Sequence, residues 1–226
     1  MISAILLADF ITGFFHWFED AYLPYCTNHP LFGNIAKDNV LHHYFPRAML
    51  AFSTIEHCHY SLPATTLIAI LLLYTFPRFV RKNAIFLIVL FVFINMANII
   101  HSWSHMRKCE LHPLVLFLQN HGVLVSHEHH RVHHQTRDTR YCVITPLMNG
   151  ILDSICFWKG LERIVYMYTG VQPSHVLYGD FESIHTPLHK NAELCECPKK
   201  PVIKDVQELR NILQQYHNCP MSTDPK

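Results

Sequence analysis

The chain has 226 residues, enough for one domain with a short appendage and a sizeable core. Half of it is hydrophobic, only 15% is charged and the formal net charge is +1, a balance that argues against nucleic acid or a strongly acidic partner. Histidine is the outlier, with 19 copies against 18 Lys and Arg together.

The first segment, MISAILLADFITGFFHWF, is apolar without being a signal peptide, because it has no basic leading region and Asp9 interrupts it. Read as a helix, it places Asp9, Gly13, His16 and Asp20 on one face. Ionisable residues in a membrane segment usually face the bundle interior and mark function. His42 and His43 follow as an adjacent pair. Two runs without charge come next, YSLPATTLIAILLLYTFP over 60–77 and AIFLIVLFVFINMANII over 84–100. Both sit near the short limit of a spanning helix, which needs about 20 residues. PRFVRKN between them reads as a tight polar turn. A chain this small cannot wrap two such helices in protein, so both are expected to cross a membrane.

Two weaker apolar segments, 114–125 and 143–158, carry Gln119, Asn120, Asn149 and Asp153 and read as interfacial or re-entrant. After about Gln172 the chain turns polar and Pro-punctuated, with one amphipathic stretch near 206–216. The expected division is a membrane domain over 1–172 and a polar cytosolic tail over 173–226, whose His175, His185, His189 and His217 read as ordinary surface residues. The eight cysteines contain no CxxC pair and read as mostly reduced, as in a cytosol-facing protein.

A helical hairpin over 60–100 returns the chain to its starting side. His42, His43, His57 and His59 before it, and His101, His105 and SHEHHRVHHQ (126–135) after it, therefore share one membrane face. Nine basic residues between Lys37 and Arg163 lie on that side, against Arg78, Arg81 and Lys82 in the turn, and the positive-inside bias then places the histidines in the cytosol.

Their spacing is that of metal ligands. His101 and His105, His129 and His133, and His130 and His134 are i, i+4 pairs, with His130 and His133 at i, i+3; each pair shares one helix face. His16 and Asp20 form another such pair. Imidazole suits Fe, Zn, Cu and Ni, and one tetrahedral ion takes four ligands, so this set would hold two metals. Asp20, Glu56 and Glu128 are available to fix ring orientation. A di-iron centre fed by O2 suits attack on an unactivated C–H bond of a lipid chain, whereas the Glu-x-x-His pattern of the soluble di-iron bundles is absent. The fold class expected is all-α, a multi-span membrane helical bundle with a histidine-rich di-metal site at the cytosolic face. From other classes, a haem protein would place its paired histidines inside the membrane, and a metal transporter would need polar residues through it, which 67–76 lacks.

The motifs ADFITGFFHWFED, LHHYFP, HSWSHM, LQNHGVLVSHEHHRVHH, YCVIT and WKGLERIVYMYTG, in this order over about Ala8 to Pro173, resemble the Kua family of lipid desaturases. The resemblance implies an integral membrane enzyme with a histidine-ligated di-iron centre (two Fe ions), O2 as co-substrate and electrons from a cytochrome b5-type donor. In one branch of that family it implies formation of the vinyl-ether double bond of plasmalogens from an alkyl ether lipid; in another, acyl-lipid desaturation. It further implies His101 to His105 and His129 to His133 as histidine boxes, with His130 and His134 adjoining, and His16, Asp20, His42 and His43 as further metal positions. Endoplasmic reticulum is the expected location. Where the family tends to read RHDFIETNG this chain has AFSTIEHCH, so Phe52 stands in place of a histidine; His57 or His59, with Glu56 and Glu128, are the candidate extra ligands or supporting groups. The chain begins almost at the ADF motif, where relatives usually carry an earlier membrane helix.

Overall fold

The computed structural model describes residues 1–24 and 27–174; apart from Pro173 and Ser174, the expected tail, with its amphipathic stretch and four histidines, lies outside the described residues. Among the described residues the chain is all-helical, with no strand. In chain order the helices are α1 (Ile2–Tyr22), α2 (Phe32–Tyr44), a 3-10 helix (Pro46–Ala51), α3 (Thr54–His57), α4 (Ser61–Thr75) and α5 (Pro77–Lys82). Then come α6 (Ala84–Ser104), α7 (Pro113–Asn120), α8 (His127–Thr136), α9 (Pro146–Ser154) and α10 (Phe157–Thr169). The described residues form two compact units: Met1–Trp17 with Phe52–Val171, and those of Phe18–Ala51 with Gln172, Pro173 and Ser174.

Helix α1, whose residues to Trp17 belong to the first unit, and α6 of that unit are long and apolar enough to cross a membrane. At about 1.5 Å per residue each is about 31 Å long, matching a hydrocarbon core of about 30 Å. The expected run at 60–77 is corrected in one respect. Helix α4 has only 15 residues, about 22 Å, because Pro77 disfavours helical backbone at Phe76 (φ −131°) and stops it there. Pro77 then opens α5, its missing N–H being no loss at a first helical position. The segment read as a polar turn is thus a short helix. Helices α7 and α9, with 8 and 9 residues, each begin at a proline and are too short to cross.

The core of this unit joins Ala4 and Ala8 of α1 to Leu87, Leu90, Ala97 and Ile100 of α6 and to Leu124, Val143 and Ile144. The α1 face foreseen from Asp9, Gly13 and His16 is real, but Asp9 has a structural task. Fully buried, its carboxylate accepts from Ile144 N (2.8 Å), Thr145 N (2.9 Å) and Thr145 Oγ1 (2.7 Å), the satisfaction a buried carboxylate requires. Since Thr145 is the N-cap of α9, this ties α1 to the start of α9. One turn on, Gly13 lets the 141–145 segment pass: a Cβ there would lie 2.6 Å from Cys142 Sγ and 3.1 Å from Cys142 Cα.

In the second unit, Phe18 packs edge-on against Phe32 of α2 (6.5 Å). Asn39, His42 and His43 are buried on α2, at spacings that share one face. Of the described cysteines, Cys58, Cys142 and Cys156 are free, as expected, whereas Cys109 is disulfide-bonded.

Candidate metal centre

Helix α8 is built almost entirely of polar residues, and local capping makes it helical. Ser126 accepts from His129 N at its start, satisfying one of the donors every helix leaves open, and Glu128 sits in the first turn, where negative charge is favoured. The helix stops at Arg137, which adopts left-handed backbone (φ 59°), a conformation costly outside glycine. The Tyr141 hydroxyl donates to the Arg137 carbonyl and holds it there.

His130 and His133 of α8 are almost fully inaccessible, at 1% and 0% exposure. His130 and His134 face the end of α6. His130 Nε2 lies 2.7 Å from His101 Nε2 and 3.0 Å from His134 Nε2. With His105, the ligand nitrogens of this group all lie within 4.8 Å of one another. His133, on the same helix, stacks beside His130 at 5.3 Å with its ring centroid 4.6 Å from that of His16, and His16 is 5.1 Å from His101. The i, i+3, i+4 pattern of α8 thus serves two neighbouring groups.

The donor chemistry fits cations. A neutral imidazole offers one donor and one acceptor nitrogen, so three Nε2 atoms meeting at one place cannot satisfy each other by hydrogen bonds, whereas a divalent ion takes a lone pair from each. His16 and His133 are prepared in the same sense. Each donates from Nδ1 to a backbone carbonyl, Tyr141 O (2.9 Å) and Thr139 O (2.7 Å). This fixes the tautomer that carries its lone pair on Nε2, as in orientated metal ligands.

In the second unit, Asp20 Oδ1 accepts from Asn39 Nδ2 (2.8 Å) and His43 Nε2 (2.9 Å), and His42 lies beside His43 with ring centroids 4.4 Å apart.

Other candidates go elsewhere. Burial and the neighbouring Arg140 cation push the pKa of His129 down to about 4. Its neutral ring accepts at Nε2 from Asn149 Nδ2 (3.1 Å) instead of joining the group. His127 donates from Nδ1 to Ser104 O (2.8 Å) and ties α8 to α6. His57 is buried beside Phe52 and His59 is exposed against Tyr60; neither enters the cluster. Glu56 closes a capping box with Ser53. Glu128 pairs with Lys108 at 2.9 Å on the surface, and the hydrogen bond from Lys108 lowers its pKa. Ring orientation in this unit therefore comes from backbone carbonyls rather than these carboxylates. Asn149, Asn39 and Tyr141 escaped the sequence reading; an asparagine in an apolar segment was the one available signal, and it marked Asn149 as polar without giving it a role.

The model of the lipid desaturase domain family matches residues 5–176. The chain belongs to that family. Over 172 residues it is 32% identical to fatty acid desaturase 4-like 2, chloroplastic, of Arabidopsis thaliana, a match covering 76% of this chain and 60% of that protein. It is 32% identical to the plasmanylethanolamine desaturase of Myxococcus xanthus (76% and 63%) and 29% identical to plasmanylethanolamine desaturase 1 of Mus musculus (76% and 66%). The lipid desaturase domain of this chain thus spans less than two thirds of these relatives. No solved structure matches it.

Proposed function

We propose that the chain is an O2-dependent, integral membrane lipid desaturase whose histidines hold two iron ions. The observation that carries this reading is the meeting of the His101, His130 and His134 Nε2 atoms, with His105, inside a buried cage. His101, His105, His130 and His134 are proposed as ligands of one iron and His16 and His133 of the other. His42, His43 and Asp20 are proposed as further metal positions, on their place in the motifs and on the Asp20–His43 pairing within their own unit. His129 supports the cage through Asn149. The reaction would take two hydrogens from adjacent carbons of a saturated chain and, with O2, two electrons and two protons, yield a double bond and two waters; two irons would supply the oxidising power for it.

The residues of the chain then have definite tasks. His16 and His133 are held in ligand tautomers by the Tyr141 and Thr139 carbonyls. Asp9 and Gly13 hold the segment bearing Tyr141 against α1. The burial of His130 and His133 excludes water from the oxidising site.

The preferred substrate is an alkyl ether phospholipid, plasmanylethanolamine, converted to its vinyl ether; the Myxococcus and mouse relatives support this by name. An acyl chain is the second reading, favoured by the equally similar Arabidopsis protein. A cytochrome b5-type donor would deliver the electrons. The catalytic part would be 1–172, with 173–226 as a cytosolic tail and the endoplasmic reticulum as location; the charge bias of the sequence supports histidines that face the cytosol. Lipid mass spectrometry of plasmalogen-deficient cells expressing the chain or its His133→Ala variant tests the reading. Acid-labile vinyl-ether lipid with the wild type only is expected. Its absence with new acyl double bonds would select the second substrate. No product together with retained iron would leave a metal-binding member without turnover.

A further inference from the structure

Three aromatic side chains that the desaturase reading leaves without chemistry form a continuous path away from the His16–His133 pair. The Tyr141 ring lies 5.0 Å from His133 and 5.9 Å from His16. Trp158 of α10 stands edge-on to Tyr141 at 5.0 Å, and Trp17 of α1 stacks on Trp158 at 6.1 Å and 27°. All three are essentially inaccessible, with 0%, 1% and 2% exposure. Beyond Trp17, at 5.3 Å, comes Phe14, which is 38% exposed, so the path ends one ring beneath the surface.

The hydrogen bonds along it are unequal. The Tyr141 hydroxyl donates to a backbone carbonyl, which is no base. Trp158 Nε1 is buried without a hydrogen-bond acceptor among the described residues. Trp17 Nε1 donates to Glu162 Oε1 at 3.2 Å, and Glu162 is itself buried. An oxidised indole becomes a strong acid, and of the three rings Trp17 has the carboxylate placed to take its proton. A packing role alone would not call for a buried carboxylate, which is costly unless it is hydrogen-bonded.

We propose that Tyr141, Trp158 and Trp17 form a hole-transfer path that drains an O2-derived oxidant from the metal centre when no lipid is bound, with Glu162 as proton acceptor. One electron leaves Trp17 and reaches the oxidant through Trp158 and Tyr141, while the Trp17 Nε1 proton moves to Glu162 Oε1. The product is a neutral indolyl radical beside a protonated carboxyl group, and one electron from a donor of the cytochrome b5 type restores both as the proton returns from Glu162 to Trp17 Nε1. The oxidising equivalent thereby leaves the histidine ligands undamaged. This inference rests on the di-iron reading.

The test uses the purified full chain in detergent, loaded with ferrous iron under anaerobic conditions and mixed with O2 without lipid substrate. Samples are freeze-quenched for electron paramagnetic resonance, and iron oxidation is followed in parallel. A tryptophan radical whose hyperfine splitting narrows on ring deuteration is expected. It should be lost in Trp17→Phe, depleted in Trp158→Phe and converted to a shorter-lived cation spectrum in Glu162→Gln, with iron content retained in each. Iron oxidised by O2 with no tryptophan radical, or the same radical in Trp17→Phe, would overturn the path alone. A chain that binds no iron, or whose iron O2 leaves ferrous, would overturn the di-iron reading and the path with it.

Discussion

Helices α4 and α8 invert the usual relation between polarity and burial. Helix α4, SLPATTLIAILLLYT, is apolar around its circumference, yet Leu62, Leu67, Ile68, Ile70, Leu71, Leu73 and Tyr74 are exposed. Helix α8, HEHHRVHHQT, is polar apart from Val132, yet holds His130 and His133, among the most buried side chains of the described residues. In water both arrangements would be penalised. They become favourable together if lipid surrounds α4 and cations sit among the α8 imidazoles, because each environment then matches what it meets.

The largest expected effect comes from α8. His130→Leu should abolish both iron binding, measured by elemental analysis, and turnover, without lowering the melting temperature of the metal-free protein. Leucine filling the same space with iron still bound would mean that the imidazoles are only core. Leu67→Arg tests α4: a cation facing lipid at mid-helix costs about 3 kcal/mol. Carbonate extraction should release more of the variant from membranes, while iron per protein stays unchanged. Were extraction unchanged, the exposed face of α4 would meet water or protein instead.

The ties that hold the α8 side come next. Asp9→Ala leaves three donors unsatisfied and should cost about 3 kcal/mol of stability in thermal unfolding. Gly13→Ala should cost about 1–3 kcal/mol by overpacking. Cys142→Ala should restore part of this, since the sulfur is removed while the backbone of the same residue stays 3.1 Å from the added methyl group. Smallest of all, Lys108→Ala removes an exposed ion pair with Glu128 and should shift stability by no more than about 1 kcal/mol, still less in high salt.

Much of the centre was legible because helix geometry turns spacing into direction. The i, i+4 separations of His101 and His105, and of His130 and His134, place each pair on one face wherever the helix lies. The same rule groups His129 with His133, but spacing says which rings share a face and not what faces them: Asn149, twenty positions away, donates to the His129 ring. Glu56 and Glu128 were nominated to orient imidazoles because carboxylates are the visible choice. The orienting groups for His16 and His133 are the Tyr141 and Thr139 carbonyls, and a carbonyl leaves no mark in a sequence since every residue has one.

By itself the sequence determined the helical class, the apolar segments and the histidine faces, since these follow from periodicity within single segments. Only the tertiary structure decided that Asp9 caps the start of α9 rather than serving chemistry, that Gly13 makes room for Cys142, and that Tyr141, Trp158 and Trp17 stand in line. Except for Tyr141 and Trp158, seventeen positions apart, those contacts join residues more than a hundred positions apart, and local propensity carries no information about which distant groups a side chain will meet.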